Sequence, residues 1–114
     1  MLTEATNISF VAASGNTSVQ QQMEDARRGC NILISTPGRL LYFVQENIVS
    51  LSNVKILAID RADRLMAEDF KECVKKISET MPKVEDRQTL IQCENFNDEI
   101  LRSLGISPVI SFVE

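Results

Sequence analysis

The run Val54-Lys55-Ile56-Leu57-Ala58-Ile59-Asp60-Arg61-Ala62-Asp63 constrains this chain most tightly. It alternates, then becomes continuously apolar and rich in β-branched residues, the pattern of a strand buried on both faces of a parallel sheet. It stops at Asp60, with a second carboxylate at Asp63 and a helical pattern beyond. Open α/β sheets gather ligands at the carboxyl ends of their strands. Asp60 therefore stands where a hydrated cation or a metal-bound phosphate would be held. The same residues also suit a strand end that simply caps the next helix.

The rest of the chain repeats this alternation. Residues 1–7 carry no periodicity and read as a loose N-terminus. Ile8 to Ala13 predicts a strand, closed by the turn formers Ser14-Gly15-Asn16-Thr17. Ser18 to Arg28 predicts a polar helix with Val19, Met23 and Ala26 as its apolar stripe, ended by Gly29. Asn31 to Ser35 is the next strand. Thr36 suits an N-cap and Pro37 a first helical position, with the helix continuing through Val44.

A loop over Asn47–Asn53 leads into the strand 54–59. A helix opens near Asp63 or Arg64, and after an acidic break at Glu68-Asp69 another spans Phe70 to Thr80. Its stripe is Phe70, Cys73, Val74, Ile77 and Met81, and Pro82 stops it. Gln88 to Cys93 reads as a strand, Asn97 to Leu104 as a short helix ended by Gly105, and Pro108 to Val113 as a last strand. Alternating strands and helices with short connections imply right-handed crossovers and a parallel sheet with helices on both faces.

Composition removes several chemistries. The 114 residues contain no histidine. Ser-His and Cys-His catalysis and His-containing zinc sites are therefore excluded. Cys30, Cys73 and Cys93 are odd in number and far apart, and read as reduced, buried thiols. A net charge of −4 argues against charge-driven nucleic-acid binding by the domain as a whole. Any such contact must come from a local cluster. No apolar run is long enough to span a bilayer, which predicts an intracellular chain, in cytoplasm or nucleus, with no membrane partner.

A nucleoside-triphosphate site of the P-loop kind needs Gly-x-x-x-x-Gly-Lys-Ser/Thr, so that backbone amides and a lysine cradle phosphates. Glycine occurs only at 15, 29, 38 and 105, and no pair has that spacing. Thr36-Pro37-Gly38-Arg39 is a second kind of anion signal. A helix start already carries about half a positive charge, so Arg39 there is unfavourable. Gly38 costs the helix roughly 1 kcal/mol against alanine. Both choices make sense if an anion docks, with Thr36 offering a hydroxyl and Arg39 facing a phosphate oxygen. A capped helix carrying a solvated arginine is the alternative.

Taken together, Gly29-Cys30-Asn31-Ile32-Leu33-Ile34-Ser35-Thr36-Pro37-Gly38-Arg39, the Asp60–Asp63 run and Asp86-Arg87-Gln88-Thr89-Leu90-Ile91 closely resemble the first RecA-like domain of DEAD-box RNA helicases. The Vasa-like and Belle-like branch is the nearest. The resemblance spans roughly residues 8–113, in the family's order. It implies a partial N-terminal RecA-like domain over 8–114, with the P-loop strand missing. It also implies that Thr36, Pro37, Gly38 and Arg39 contact an RNA sugar-phosphate backbone without reading bases. Ser14-Gly15 stands for the family's backbone-contacting Gly-Gly doublet.

Two departures qualify that. The family's Asp-Glu-Ala-Asp reads Asp60-Arg61-Ala62-Asp63, so a guanidinium, which accepts no proton, occupies the place of the residue that activates water. It is expected to pair with Asp60 or Asp63. The family's Ser-Ala-Thr, whose hydroxyls bond the last Asp, reads Cys93-Glu94-Asn95, which suits a strand end and the cap of the next helix. Family members use ATP and magnesium. Here no cofactor is expected, and Asp60 is the only remnant candidate for a metal.

The expectation is a catalytically degenerate helicase-like domain that binds RNA weakly and without sequence preference. A protein-interaction module that has lost both ligands, or a piece of a longer helicase, are the alternatives. In the family the P-loop strand separates the counterparts of Gln88–Cys93 and Val109–Val113. Without it, Val109–Val113 either shifts to pair directly or leaves an open edge for a protein partner or a second copy.

Overall fold

The computed structural model of the chain describes residues 7–14, 18–67, 70–95, 99 and 102. They belong to two compact units that divide between Ser50 and Leu51.

In the N-terminal unit, β1 (Phe10–Ala13) and β2 (Ile32–Ser35) pair in parallel, from Phe10 against Ile32 to Ala13 against Ser35. Parallel neighbours need a crossover, and α1 (Val19–Arg27) supplies it. Gly29 ends this helix at φ +86, a conformation open to glycine at no steric cost, and its N–H reaches back to the Ala26 carbonyl at 3.1 Å. The second helix, α2 (Pro37–Gln45), follows β2 after Thr36 alone. Ala13, Ala26, Phe43 and Ile48 form the core, with Met23 and Val49 packed on it. Gln22 is buried as well and its Nε2 donates to the Ser14 carbonyl at 2.9 Å, fixing the end of β1.

The C-terminal unit repeats the plan. Its strands β3 (Ile56–Ile59) and β4 (Gln88–Ile91) pair in parallel, Ile56 against Gln88 through Ile59 against Ile91. Between them lie α3 (Ala62–Ala67), α4 (Lys71–Glu79) and a 3-10 turn at Val84–Asp86. Ile59, Ala62 and Val74 form the core cluster, and Leu57, Leu65, Ile91 and Cys93 pack against it. Arg87 ties the turn to β4: its Nη1 donates to the Pro82 carbonyl at 2.9 Å and its Nε to Thr89 Oγ1 at 3.2 Å. Burial lowers the affinity of this guanidinium for its proton.

The predicted elements over residues 8–93 all form, with ends shifted by a residue or two. Several finer expectations do not hold. The strand 54–59 is not buried on both faces: Ile56 is 58% exposed and Ala58 exposed, while Ile59 is buried. Ile32 and Ile34, the latter also 58% exposed, repeat the pattern in β2. The apolar character that suits two covered faces is met, among the described residues, by cover on one. Val19 and Phe70 are exposed rather than part of their helices' buried stripes. The three thiols are free and half-buried rather than buried.

The expectations for residues 1–6, Gly15, the acidic break at Glu68-Asp69, most of the helix 97–104 and the strand Pro108–Val113 fall outside the described residues. So does the open edge that Val109–Val113 would leave or fill. Among the described residues, no helix is long and apolar enough to cross a membrane.

Candidate functional site

At the carboxyl edge of the N-terminal unit, parallel pairing of Ala13 with Ser35 sets Ser14 beside Thr36. The Thr36 N–H donates to the Ala13 carbonyl at 3.2 Å, which extends the ladder to the start of α2. Thr36 is extended, with φ −72 and ψ 152, and its carbonyl takes the first helical bond from the Leu40 N–H at 3.0 Å. Its hydroxyl makes no capping bond, so the predicted N-cap position is correct but the hydroxyl is not spent on the helix.

Proline has no N–H to lose at position 37, while the amides of Gly38 and Arg39 lie in a first turn without intrahelical partners. A Cβ built at Gly38 would meet nothing within 4 Å. Among the described residues Arg39 forms no ion pair, although it is half-buried. The arrangement presents an unused hydroxyl, orphan amides, an open approach and one guanidinium at a helix N-terminus. That set suits an anion.

At the carboxyl edge of the C-terminal unit, an open cleft of about 620 Å³ runs between Asp60, Arg61, Asp63 and Arg64 on one side and Gln92 to Asn95 on the other. The chain closes it with three bonds past the strand ends. Gln92 N–H donates to the Ile59 carbonyl at 2.8 Å, Ala62 N–H to the Gln92 carbonyl at 3.0 Å, and Asn95 N–H to Asp63 Oδ2 at 3.2 Å. The two altered motifs thus meet, and the link runs through a main-chain amide where the resemblance implied side-chain hydroxyls. Ala62 is wholly buried in the core, so its role is packing.

Arg61 has φ +53, in the left-handed region that bulky L-residues rarely adopt. Its carbonyl accepts from Arg64 N–H at 3.0 Å and Leu65 N–H at 3.1 Å, so the strained turn starts α3. Contrary to expectation, it forms no ion pair with Asp60 or Asp63. Both Asp60 and Arg61 are exposed, and a solvated pair gains little over the entropy of ordering two side chains. Cys93 sits beside this turn with its thiol pushed up, first by burial and then by the Asp63 charge.

An implied magnesium ion fits this cleft poorly. Among the described residues no three Asp, Glu, His or Cys side chains are grouped to hold a metal, and Arg61 and Arg64 add fixed positive charge. A second open cavity, of about 560 Å³, lies around Lys71, Glu72, Lys75, Glu99 and Arg102. There Lys71 Nζ meets Glu99 Oε1 at 2.7 Å and holds that carboxyl below its ordinary range. Sequence reasoning missed this contact, because residues 28 positions apart leave no local pattern.

Comparison with known proteins follows the same outline. Residues 1–93 match the model of the DEAD/DEAH box helicase family. The chain is 39% identical over 99 residues to DEAD-box ATP-dependent RNA helicase 52A of Oryza sativa subsp. japonica, covering 85% of this chain and 16% of that one. It is 35% identical over 99 residues to ATP-dependent RNA helicase DBP3 of Lodderomyces elongisporus, covering 87% and 18%. The crystal structure of a hypothetical ATP-dependent RNA helicase from Sulfolobus tokodaii superposes with a TM-score of 0.77 at 23% identity, over 91% of this chain and 30% of that one. The fold is accordingly a partial RecA-like α/β fold. The chain spans less than a fifth of the length of these curated relatives.

Proposed function

The chain belongs to the DEAD/DEAH box helicase family, and on that premise we propose that it contacts an RNA sugar-phosphate backbone through Ser14, Gly15 and Thr36–Arg39 while its Asp60–Asp63 cleft performs no ATP hydrolysis. One observation carries the first half: the start of α2 leaves the Thr36 hydroxyl without a capping bond and the space beside Gly38 empty. Backbone contacts of this kind are weak, indifferent to sequence and sensitive to salt, because they release counterions and touch no base edges. The second half rests on Arg61, whose guanidinium accepts no proton, and on a cleft that, among the described residues, groups no three side chains able to hold a metal ion. The setting is intracellular.

Titration of short single-stranded RNAs of several sequences tests the binding half. Arg39→Ala should weaken all of them alike and shallow the salt dependence by about one ion. Tight binding to a single sequence would overturn it. For the cleft, no phosphate release is expected with or without RNA, and Arg61→Glu alone should not create any. RNA-stimulated release that Asp60→Ala abolishes would show the cleft to be active. A second reading, a protein-interaction module without RNA, draws on the exposed Ile32, Ile34, Ile56 and Leu90. It predicts that Arg39→Ala changes nothing.

A further inference from the structure

We propose that Gln22 is a positioning residue for the RNA-contacting edge of the N-terminal unit, holding the main chain after β1 in the form that admits a ribose-phosphate backbone beside Thr36. The inference rests on the RNA-backbone reading above and adds to it a residue that takes no part in the contact itself. Among the described residues Gln22 is the one buried polar side chain, at 5% exposure. An amide is costly to bury without a hydrogen bond. Methionine would fill the same length on α1 without that demand, so packing alone does not call for a glutamine.

What the amide holds is the main chain at the carboxyl edge. β1 ends at Ala13, whose carbonyl accepts from the Thr36 N–H at 3.2 Å. The next carbonyl, on Ser14, accepts from Gln22 Nε2 at 2.9 Å. One donor thus comes from the residue before α2 and the other from the first turn of α1, where the Gln22 N–H is itself bonded to the Ser18 carbonyl at 3.3 Å. Ser14 stands beside Thr36 through the pairing of Ala13 with Ser35. A carbonyl oxygen carries partial negative charge, and at an edge that takes a phosphate a free one is repulsive. With both carbonyls held by donors of the chain, the edge keeps its own donors for the ligand. Without Nε2 the Ser14 carbonyl would lack its partner, which favours its turning to water. Affinity then falls with the fraction of chains that stay competent to bind.

Coupling of this kind is reciprocal: a bond that favours RNA binding is itself favoured by bound RNA. In the unaltered chain, solvent exchange of the Gln22 Nε2 protons, followed by nuclear magnetic resonance, should therefore slow when a single-stranded oligoribonucleotide is added. Gln22→Met keeps the length of the side chain but not the donor. It should weaken RNA binding by roughly threefold to tenfold, the ratio that one neutral hydrogen bond is worth. Gln20→Met, the same change at an exposed position of α1, should leave binding as it is.

Either unchanged or faster exchange on adding RNA, or full affinity in a Gln22→Met chain with an unaltered circular dichroism spectrum, would overturn the positioning role and leave the backbone reading standing. Equal weakening by Gln20→Met would overturn it too, by assigning the loss to the helix surface. If Gln22→Met does not fold, the exchange measurement on the unaltered chain decides alone. RNA bound by none of the three chains would overturn both readings.

Discussion

Both units lay two parallel strands side by side and gather their motif residues at the carboxyl edge, yet the two edges are built differently. In the N-terminal unit the helix starts immediately after β2, through an extended Thr36 and a proline, with no strained residue. Its donors remain unspent. In the C-terminal unit the helix starts from Arg61 at φ +53, and the edge is bound to itself by Ala62 on Gln92 and Asn95 on Asp63. One edge offers hydrogen-bond donors outward, while the other consumes them. Fold geometry alone therefore does not decide how the polar groups at a strand end are used. Two RecA-like strand ends with the same topology can differ in whether their polar groups are free to meet a partner.

The largest test of this comparison is in the cores. Phe43 has no exposed surface, and its cluster is built from buried residues of β1, α1, α2 and the following loop. Phe43→Ala should destabilise the chain by about 3–5 kcal/mol, the usual cost of such a cavity. Ile59→Ala should cost less, about 2–3 kcal/mol, because most of its apolar neighbours are only partly buried and the site can relax. Urea unfolding of both variants measures the difference. A larger loss for Ile59→Ala would reverse the ranking of the two cores.

The same contrast shows what the sequence could reveal. Strand and helix positions were legible because apolar periodicity and the breakers Gly29, Pro37 and Pro82 are local signals. The family's motifs couple the counterparts of residues 60–63 and 92–95, but Cys93-Glu94-Asn95 reads as a strand end and helix cap that loses the coupling hydroxyls; the structure keeps the meeting through a main-chain amide. Burial was not legible. β-branched runs such as Val54–Ile59 imply two covered faces, while solvent reaches Ile56 and Ala58 because cover is a property of distant chain. Gln22 looked like a polar helix surface, and only the tertiary position of the Ser14 carbonyl makes it a buried donor. The Asp63–Asn95 bond was invisible for a related reason: a main-chain donor has no residue identity. The left-handed turn at Arg61 also leaves no trace, since neither glycine nor asparagine marks it.

Of intermediate size is the loss of that main-chain bond. Asp63→Ala removes the acceptor for Asn95 N–H and should cost about 1 kcal/mol at this exposed position. Asn95→Ala should be nearly silent, because only its backbone is used. If Asn95→Ala proves the more damaging, the side chain carries the link after all. Asp63→Asn keeps an acceptor oxygen but removes a charge from beside Cys93.

The thiol of Cys93 is raised in the folded chain, so folding loses stability as pH climbs from the ordinary thiol range toward the raised value. Removing the Asp63 charge should narrow that window without closing it, since burial is the larger cause. Alkylation of Cys93 followed against pH should show its midpoint lower in Asp63→Asn. An unchanged midpoint would leave burial as the whole explanation.

The smallest effect sharpens the comparison most, because it isolates the strained turn. The N-terminal unit also contains a left-handed residue, Asn47 at φ +58, just before the buried Ile48. Asparagine tolerates that conformation, whereas for other L-residues it costs roughly 1–2 kcal/mol. Arg61 bears that cost and Asn47 largely avoids it. Arg61→Asn should therefore stabilise the chain by about 0.5–1 kcal/mol. Arg61→Gly should gain less, since glycine's freedom in the unfolded chain offsets roughly 0.5–1 kcal/mol of the relief.

Arg61→Glu, which restores the family's residue, should bring no relief, because glutamate pays the same backbone cost. The reciprocal change Asn47→Arg should lower the melting temperature by a few degrees, at about 4–8 °C per kcal/mol for a chain of this size. If Arg61→Asn and Arg61→Gly leave the melting temperature unchanged while Asn47→Arg lowers it, the turn at Arg61 is not strained. The difference between the two edges would then rest on hydrogen bonding alone.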